Sequence, residues 1–202
     1  MTVGKAGHLA LAGEAQDLLF RAARTANTFS SAPVSDEQVR AIYDLVKYAP
    51  TSMNQQPLRV VLVRSAAARE RLVSQMYGNN KAKTATAPLV AILAADLNFH
   101  EELPRLFPHF PEAKDHFVDA GVRALSARLN AALQVGYFIL GVRAAGLAAG
   151  PMVGFDEDGV NKEFFGDGEH AALVVVNIGE PGENAWLPRA PRLDYDEVFS
   201  TV

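Results

Sequence analysis

The sequence predicts a mixed fold, α/β or α+β. Three continuous apolar runs of strand length, helical segments lying between them, and a capping signature at the head of one helix point to it. The runs are Leu58 to Val63, Pro88 to Ala95 and Ala171 to Ile178. None alternates between apolar and polar residues, which is the pattern of strands covered on both faces.

In chain order, Gln16 to Ala26 reads as the first helix. Ser35-Asp36-Glu37-Gln38 is a capping box, with serine at the cap and glutamine three residues on. It opens a helix that carries Ile42, Leu45, Val46 and Ala49 on one face and is stopped by Pro50. After the first strand, Ala66 to Met76 reads as a helix with Leu72, Val73 and Met76 as its apolar face. Asp96 to His116 holds Pro104, Pro108 and Pro111 and is expected to be irregular, with short helical turns. Its aromatic residues, Phe99, Phe107 and Phe110, together with Leu106, would form either an apolar pocket wall or core beneath a loop. Phe117 to Ala145 is one long helix or two. The segment Leu125 to Ala149 is apolar nearly all round, so it is central to the fold or buried between subunits, and a dimer is expected. Leu193 to Val202 is a short amphipathic tail.

A length of 202 residues suits one domain, 1–202, or one subunit of an intimate dimer. Hydrophobic residues make up 49% of the chain, and the net charge of −4 favours neither nucleic acid nor an anionic membrane as partner. With no cysteine, disulfides, zinc thiolate sites, iron–sulfur clusters and cysteine nucleophiles are excluded. The N-terminal stretch MTVGKAGHLALAGEAQ lacks the apolar run of a signal peptide. The most apolar stretch, Ala131 to Ala149, is interrupted by Gln134 and Arg143, so a cytoplasmic protein is expected.

Other signals weaken on inspection. Gly166 to Ala171 fits G-x-G-x-x-A, but a helix precedes it and a strand follows, the reverse of a dinucleotide fingerprint. There is no Walker loop and no G-x-S-x-G elbow. His109, Asp115, His116 and Asp119 lack metal-ligand spacing, so no metal is expected. Asp96 and His100 read as a local contact.

Four separated segments remain, each with groups suited to a phosphorylated aromatic ligand. Arg24, Thr25 and Asn27 offer a guanidinium, a hydroxyl and an amide at the end of the first helix, a mixture that binds phosphate. Between Pro50 and Pro57 lies Thr51-Ser52-Met53-Asn54-Gln55-Gln56, where five of the six side chains carry amides or hydroxyls that donate and accept. Gly150-Pro151-Met152-Val153-Gly154-Phe155-Asp156 follows the long helix, and Gly154 permits close backbone approach. Arg189 and Arg192 lie in a basic segment near the end of the chain.

The second segment, A-P-T-S-M-N-Q-Q-P, resembles the signature loop of the nitroreductase family, and the others follow in that family's order and spacing over roughly residues 18 to 200. The resemblance implies an α+β, three-layer α/β/α fold with a mostly antiparallel sheet, a long central helix and an intertwined homodimer. It implies tightly bound FMN as cofactor, with NADH or NADPH as transient hydride donor and ping-pong kinetics. No catalytic side chain is required, because a flavin carries the chemistry. By carry-over, Ser52, Asn54 and Gln56 face flavin or substrate. Pro151, Met152, Val153 and Gly154 bring backbone towards the ring, and Arg24, Thr25, Asn27, Arg189 and Arg192 hold the phosphate. Asn80 with Lys83 is a softer match to a ring-contacting pair, and Asn79 with Lys81 is the alternative.

One departure is that the first segment places Ala23, Thr25 and Asn27 where typical members carry Arg, Ser and Arg or Lys, with Arg24 displaced by one. The variants A-R-T-x-N and G-P-M-x-G-F-D, with L-P-x-L-F-P at Leu103 to Pro108, resemble the malonic semialdehyde reductase subgroup of pyrimidine utilisation, also described as NADH dehydrogenase/NAD(P)H nitroreductase. That implies reduction of malonic semialdehyde to 3-hydroxypropionate. A generalist reductase of nitroaromatics or quinones is the alternative, and a flavin-binding protein without turnover a more distant one.

Overall fold

The computed structural model describes residues 9–166 and 168–202. The first eight residues of the stretch read for a signal peptide, and Asp167 of the glycine turn, lie outside the described residues.

The helices are α1 (Gly13–Gln16), α2 (Asp36–Val46), α3 (Ala66–Gln75), α4 (Asn80–Thr86), α5 (Leu103–Leu106), α6 (Ala120–Ala144), α7 (Glu157–Phe164) and α8 (Tyr195–Val198). The strands are β1 (Leu58–Val63), β2 (Leu89–Asp96), β3 (Ala148–Met152) and β4 (His170–Gly179). They form one antiparallel sheet in the order β1-β2-β4-β3. Leu58 pairs with Ala95 and Val63 with Val90; at the other edge Ala148 pairs with Gly179 and Met152 with Val175. A bulge between Leu93 and Ala94 leaves Leu173 of β4 without a partner on β2.

The centre of the sheet is buried on both faces, as its apolar runs require. On β2, Leu89, Ala91 and Leu93 pack with Ile42 of α2 and Val135, Phe138 and Val142 of α6. The alternate residues, Val90, Ile92 and Ala94, pack with Leu72 of α3, Met76 just after it, and Val160 of α7. Helices therefore cover both faces, giving the three-layer arrangement.

The capping box forms as read, with Gln38 N donating to Ser35 Oγ at 3.2 Å and Ser35 N to Gln38 Oε1 at 2.9 Å. The long helix is a single one. By length and composition α6 could cross a membrane, yet Ala127, Ala131, Val135 and Val142 on it are core residues. Phe99, Leu103 and Phe117 pack on Ala127 and Ala131, with the Phe99 and Phe117 rings edge-on at 4.9 Å. These side chains are core; Phe107 is partly buried beside them and Phe110 is exposed. Asp96 pairs with Arg59 at 2.6 Å rather than with His100.

Three expectations need correction. The first helix stops early: after α1 a single π turn runs from Asp17 to Arg21, and residues 22–26 leave the helix because Ala26 N donates instead to Ala149 O of β3. Residues 148–152, read as the helix end and a loop, form a fourth strand. Asn80–Thr86, read as no element, is helix α4.

α2 and α6 approach closely at Gly141, where an added Cβ would lie 2.3 Å from Val46 Cγ1 and 3.2 Å from Ile42 Cγ2. Gly141→Ala is therefore expected to overpack this contact at a cost of about 1–3 kcal/mol. Thermal unfolding should show a fall in Tm of roughly 2–10 °C. An unchanged Tm would mean that the helices separate freely.

Candidate active site

The chain leaving the π turn at Arg21 runs along the free edge of β3. Gly150 makes this possible, since a Cβ there would sit 2.7 Å from Ala26 O. On its other side the same stretch meets the C-terminal segment. Asn27 N donates to Ala185 O at 3.0 Å, and Thr28 Oγ1 to Glu183 O at 2.6 Å. Arginines complete the clamp. Arg24 Nη1 donates to Leu187 O at 3.0 Å, and Arg189 Nη2 donates to Arg21 O at 2.5 Å and Ala23 O at 3.0 Å.

Between the two segments lies a cleft of about 310 Å³ lined by Arg24, Thr25, Asn27, Arg143, Arg189 and Arg192. All five phosphate residues read from the sequence are thus together. Arg143, in the last turn of α6, joins them, and sequence reasoning missed it. Its Nη1 donates to Leu19 O at 2.9 Å. Burial, and then the charge of Arg189, hold its pKa below the usual guanidinium value. None of the four guanidiniums has a carboxylate partner among the described residues. Among the described residues their hydrogen bonds go to backbone carbonyls, those of Arg192 to Ala190 O and Pro191 O.

A second group forms beyond β3. Gly154 O accepts from Tyr77 N at 3.0 Å and from Asn80 Nδ2 at 3.1 Å, and a Cβ on Gly154 would come within 2.7 Å of that nitrogen. Asn80 rather than Asn79 therefore touches this segment. Lys83 lies one turn along α4 from Asn80, whereas Lys81 lines a different cleft with Arg64 and Arg69. Pro151 and Met152 sit in β3 and not in a loop, and the Met152 side chain belongs to the core. Pro151 has no N–H, so only Met152, Val153 and Gly154 have amides to offer.

The third group is the loop between Pro50 and Pro57. Ser52–Asn54 makes a 3₁₀ turn, and Met53, Asn54 and Gln56 adopt φ of 50°, 52° and 45°. Three left-handed residues so close together need external support. α6 supplies it. Asn130 Oδ1 accepts from Ser52 N at 2.7 Å, and Asn130 Nδ2 donates to Gln55 Oε1 at 3.0 Å. Ser126 Oγ donates to the same Gln55 oxygen at 2.9 Å. Gln55 and Asn130 are both buried, which leaves Ser52 and Asn54 exposed and Gln56 half-buried. Asn54 Nδ2 donates to Leu106 O at 2.8 Å, and Gln56 Nε2 to Asn54 Oδ1 at 2.9 Å.

Asn130→Leu would leave Ser52 N without its acceptor, at about 1–3 kcal/mol if it stays buried, and would leave Gln55 Oε1 held by Ser126 Oγ alone. The loop is expected to relax, lowering kcat/KM by about tenfold with the fold intact by circular dichroism. Unchanged kinetics would mean that the loop holds its own shape.

The loop and the arginine cleft do not meet within one chain. The loop precedes Leu58, which pairs at the level of Ala95 and Ala171; the cleft lies beside Ala148, which pairs with Gly179. β1 and β3 are the two edges of the sheet, and the two levels are opposite ends of β4. At about 3.4 Å per residue along a strand and 4.8 Å between strands, this separates them by more than 20 Å.

Residues 21–180 match the model of the nitroreductase family. The chain belongs to that family. A candidate NADH dehydrogenase/NAD(P)H nitroreductase of Streptomyces griseus is 67% identical over 96% of this chain and 99% of its own length. A candidate nitroreductase structure from Bacillus subtilis superposes with a TM-score of 0.81 at 23% identity, covering 91% of this chain and 97% of that one. A candidate nitroreductase from Exiguobacterium sibiricum, solved in complex with FMN, gives a TM-score of 0.82 at 18% identity, covering 95% and 98%. Both show the same fold. As a nitroreductase-family member this chain is an oxidoreductase.

Proposed function

We propose that this oxidoreductase binds FMN tightly and passes hydride from NADH or NADPH to a small substrate by a ping-pong route, as a cytoplasmic homodimer. The arginine cleft carries the reading. The guanidiniums of Arg24, Arg189 and Arg192, without a carboxylate partner among the described residues, form a donor set for a phosphate dianion, which Arg binds with paired charge-assisted hydrogen bonds. The FMN complex of the Exiguobacterium neighbour supports the same ligand.

In this reading Arg24, Thr25, Asn27, Arg189 and Arg192 hold the phosphate. The amides of Met152, Val153 and Gly154, with Asn80 and Lys83 behind them, line the ring. When bound, FMN supplies the two-electron relay between nicotinamide and acceptor. No side chain need act as acid or base, because water can furnish the proton that accompanies the hydride. Ser52, Asn54 and Gln56 orient the ring edge or the acceptor through their amides and hydroxyl, held by Gln55 and Asn130 from beneath.

A second copy would bring that loop to the cleft. Leu125, Leu129, Leu133 and Tyr137, spaced four apart along α6, are 73%, 66%, 49% and 43% exposed in the single chain. Leu193, Tyr195, Val198 and Phe199 in the tail are exposed as well. Apolar surface of this extent marks an interface. Residues 1–202 then act as one unit whose site is completed across the dimer.

For the substrate we propose malonic semialdehyde, in keeping with the subgroup motifs. Its aldehyde carbon takes the hydride and its oxygen a proton, giving 3-hydroxypropionate. The second reading is a broader reductase of nitroaromatics or quinones, and the nitroreductase in the name shared by the relatives favours its nitro-reducing part. Absorbance during anaerobic addition of NADPH, then NADH, tests the flavin: yellow protein should bleach. Recolouring by malonic semialdehyde in preference to a nitroaromatic would support the first substrate, and the reverse preference the second. Colourless protein that takes up no added FMN would sink the proposal.

A further inference from the structure

Arg143 is out of keeping with its surroundings. It is the only basic residue in the last turn of α6, a helix whose inner face is core, and its neighbours Val142 and Leu147 are buried. Its Nη1 is held by Leu19 O at 2.9 Å, 124 residues away in sequence. Its Nε is buried with no hydrogen-bond partner. The groups lining the same cleft are Arg24, Arg189 and Arg192, all cationic, with the neutral Thr25 and Asn27. Across the shared wall, a smaller apolar cavity reaches Arg143 and Arg24 from the side of Trp186 and Leu147; Asp17 is the one carboxylate on it, and that carboxylate is paired with Arg21 at 2.7 Å.

Drawing an arginine even half out of water beside other arginines is unfavourable unless an anion joins them. A guanidinium carries five N–H donors, and Leu19 O engages one of the five on Arg143. The fold thus keeps a half-buried cation, with its Nε unpartnered, against an electropositive cleft without neutralising it.

We infer that Arg143 is a fourth arginine ligand of the phosphate monoester held in this cleft, and that it enforces selection of the phosphorylated ligand over its dephosphorylated form. It takes the place of the basic residue that the first segment lacks at Asn27. The FMN reading above supplies only the identity of the ligand; the anion site stands on the cleft itself.

The test uses full-length protein stripped of flavin, with inorganic phosphate as the first probe and FMN and riboflavin as the second. Phosphate at millimolar concentration should raise the Tm of the wild type, and Arg143→Gln should lose most of that rise. Arg143→Gln should also weaken FMN binding by about ten- to a hundredfold, the worth of one charged hydrogen-bonding partner, while riboflavin affinity stays the same. Arg143→Lys keeps a charge that can still donate to Leu19 O, and so serves if the glutamine variant does not fold. Lacking the planar fork, it should bind phosphate and FMN severalfold more weakly than wild type. Wild-type affinity for phosphate and FMN in either folded variant would overturn the inference and assign Arg143 to the Leu19 contact alone. Wild-type protein that gains Tm from phosphate through Arg143 but binds neither flavin would keep the anion site and overturn the FMN reading instead.

Discussion

Leu129→Glu is expected to yield a folded monomer that purifies without flavin. Leu129 sits in the middle of the Leu125, Leu129, Leu133, Tyr137 stripe and is 66% exposed in the single chain, so a carboxylate there disturbs no internal packing. In a dimer built on that stripe, the same carboxylate would be buried twice, once from each copy, facing apolar partners. An unpaired buried charge costs several kcal/mol, enough to dissociate an interface of ordinary size. Flavin loss should follow. The loop at Ser52 to Gln56 and the arginine cleft lie at opposite edges and opposite ends of the sheet, so one chain offers either but not both to a single ligand. Light scattering with the ratio of visible to ultraviolet absorbance measures both effects together. A monomer that kept its flavin would show that the loop takes no part in holding it. A dimer that persisted would place the interface elsewhere.

The elements legible in the sequence are those whose pattern reflects burial alone. Leu58 to Val63 was delimited to the residue, and the runs at Pro88 and Ala171 to within one residue at each end, because β1, β2 and β4 are strung from apolar residues. β3 reads Ala-Ala-Gly-Pro-Met, and nothing in those residue types distinguishes an edge strand from a turn. Proline is tolerated there because an edge strand has a side that needs no donor. The overextended first helix has a similar cause. Residues 22–26 have acceptable helix propensity, and what straightens them is the bond from Ala26 to Ala149, a contact 123 residues away.

The candidate site divides in the same manner. Its exposed polar groups form motifs and could be read. Its supports could not: Asn130 is an amide on an apolar helix, Gln55 the one amide of its loop that points inward, and Arg143 a break in a hydrophobic run. Each carries a local signal, a polar residue where the periodicity asks for an apolar one. Only the fold shows what it faces.

Arg189→Ala should have the next largest effect, and it separates two tasks that one side chain performs. Arg189 is a cation of the cleft, and it also clamps Arg21 O and Ala23 O, fixing the stretch that carries Arg24, Thr25 and Asn27. Losing the charge alone should weaken FMN binding by about ten- to a hundredfold. Losing the clamp should weaken it further, since the remaining ligands would have to be ordered by the phosphate itself. Arg24→Ala supplies the comparison, because Arg24 holds the facing segment through the single bond to Leu187 O. Arg189→Ala is therefore expected to lose more affinity than Arg24→Ala. It should also speed amide hydrogen exchange across residues 22–27, which Arg24→Ala should leave nearly as in wild type. Arg189→Lys, restoring charge without the fork that spans two carbonyls, should recover affinity in part and exchange protection little. If Arg189→Ala and Arg24→Ala weakened FMN equally and left exchange alike, the clamp would be incidental and the cleft would act through its summed charge.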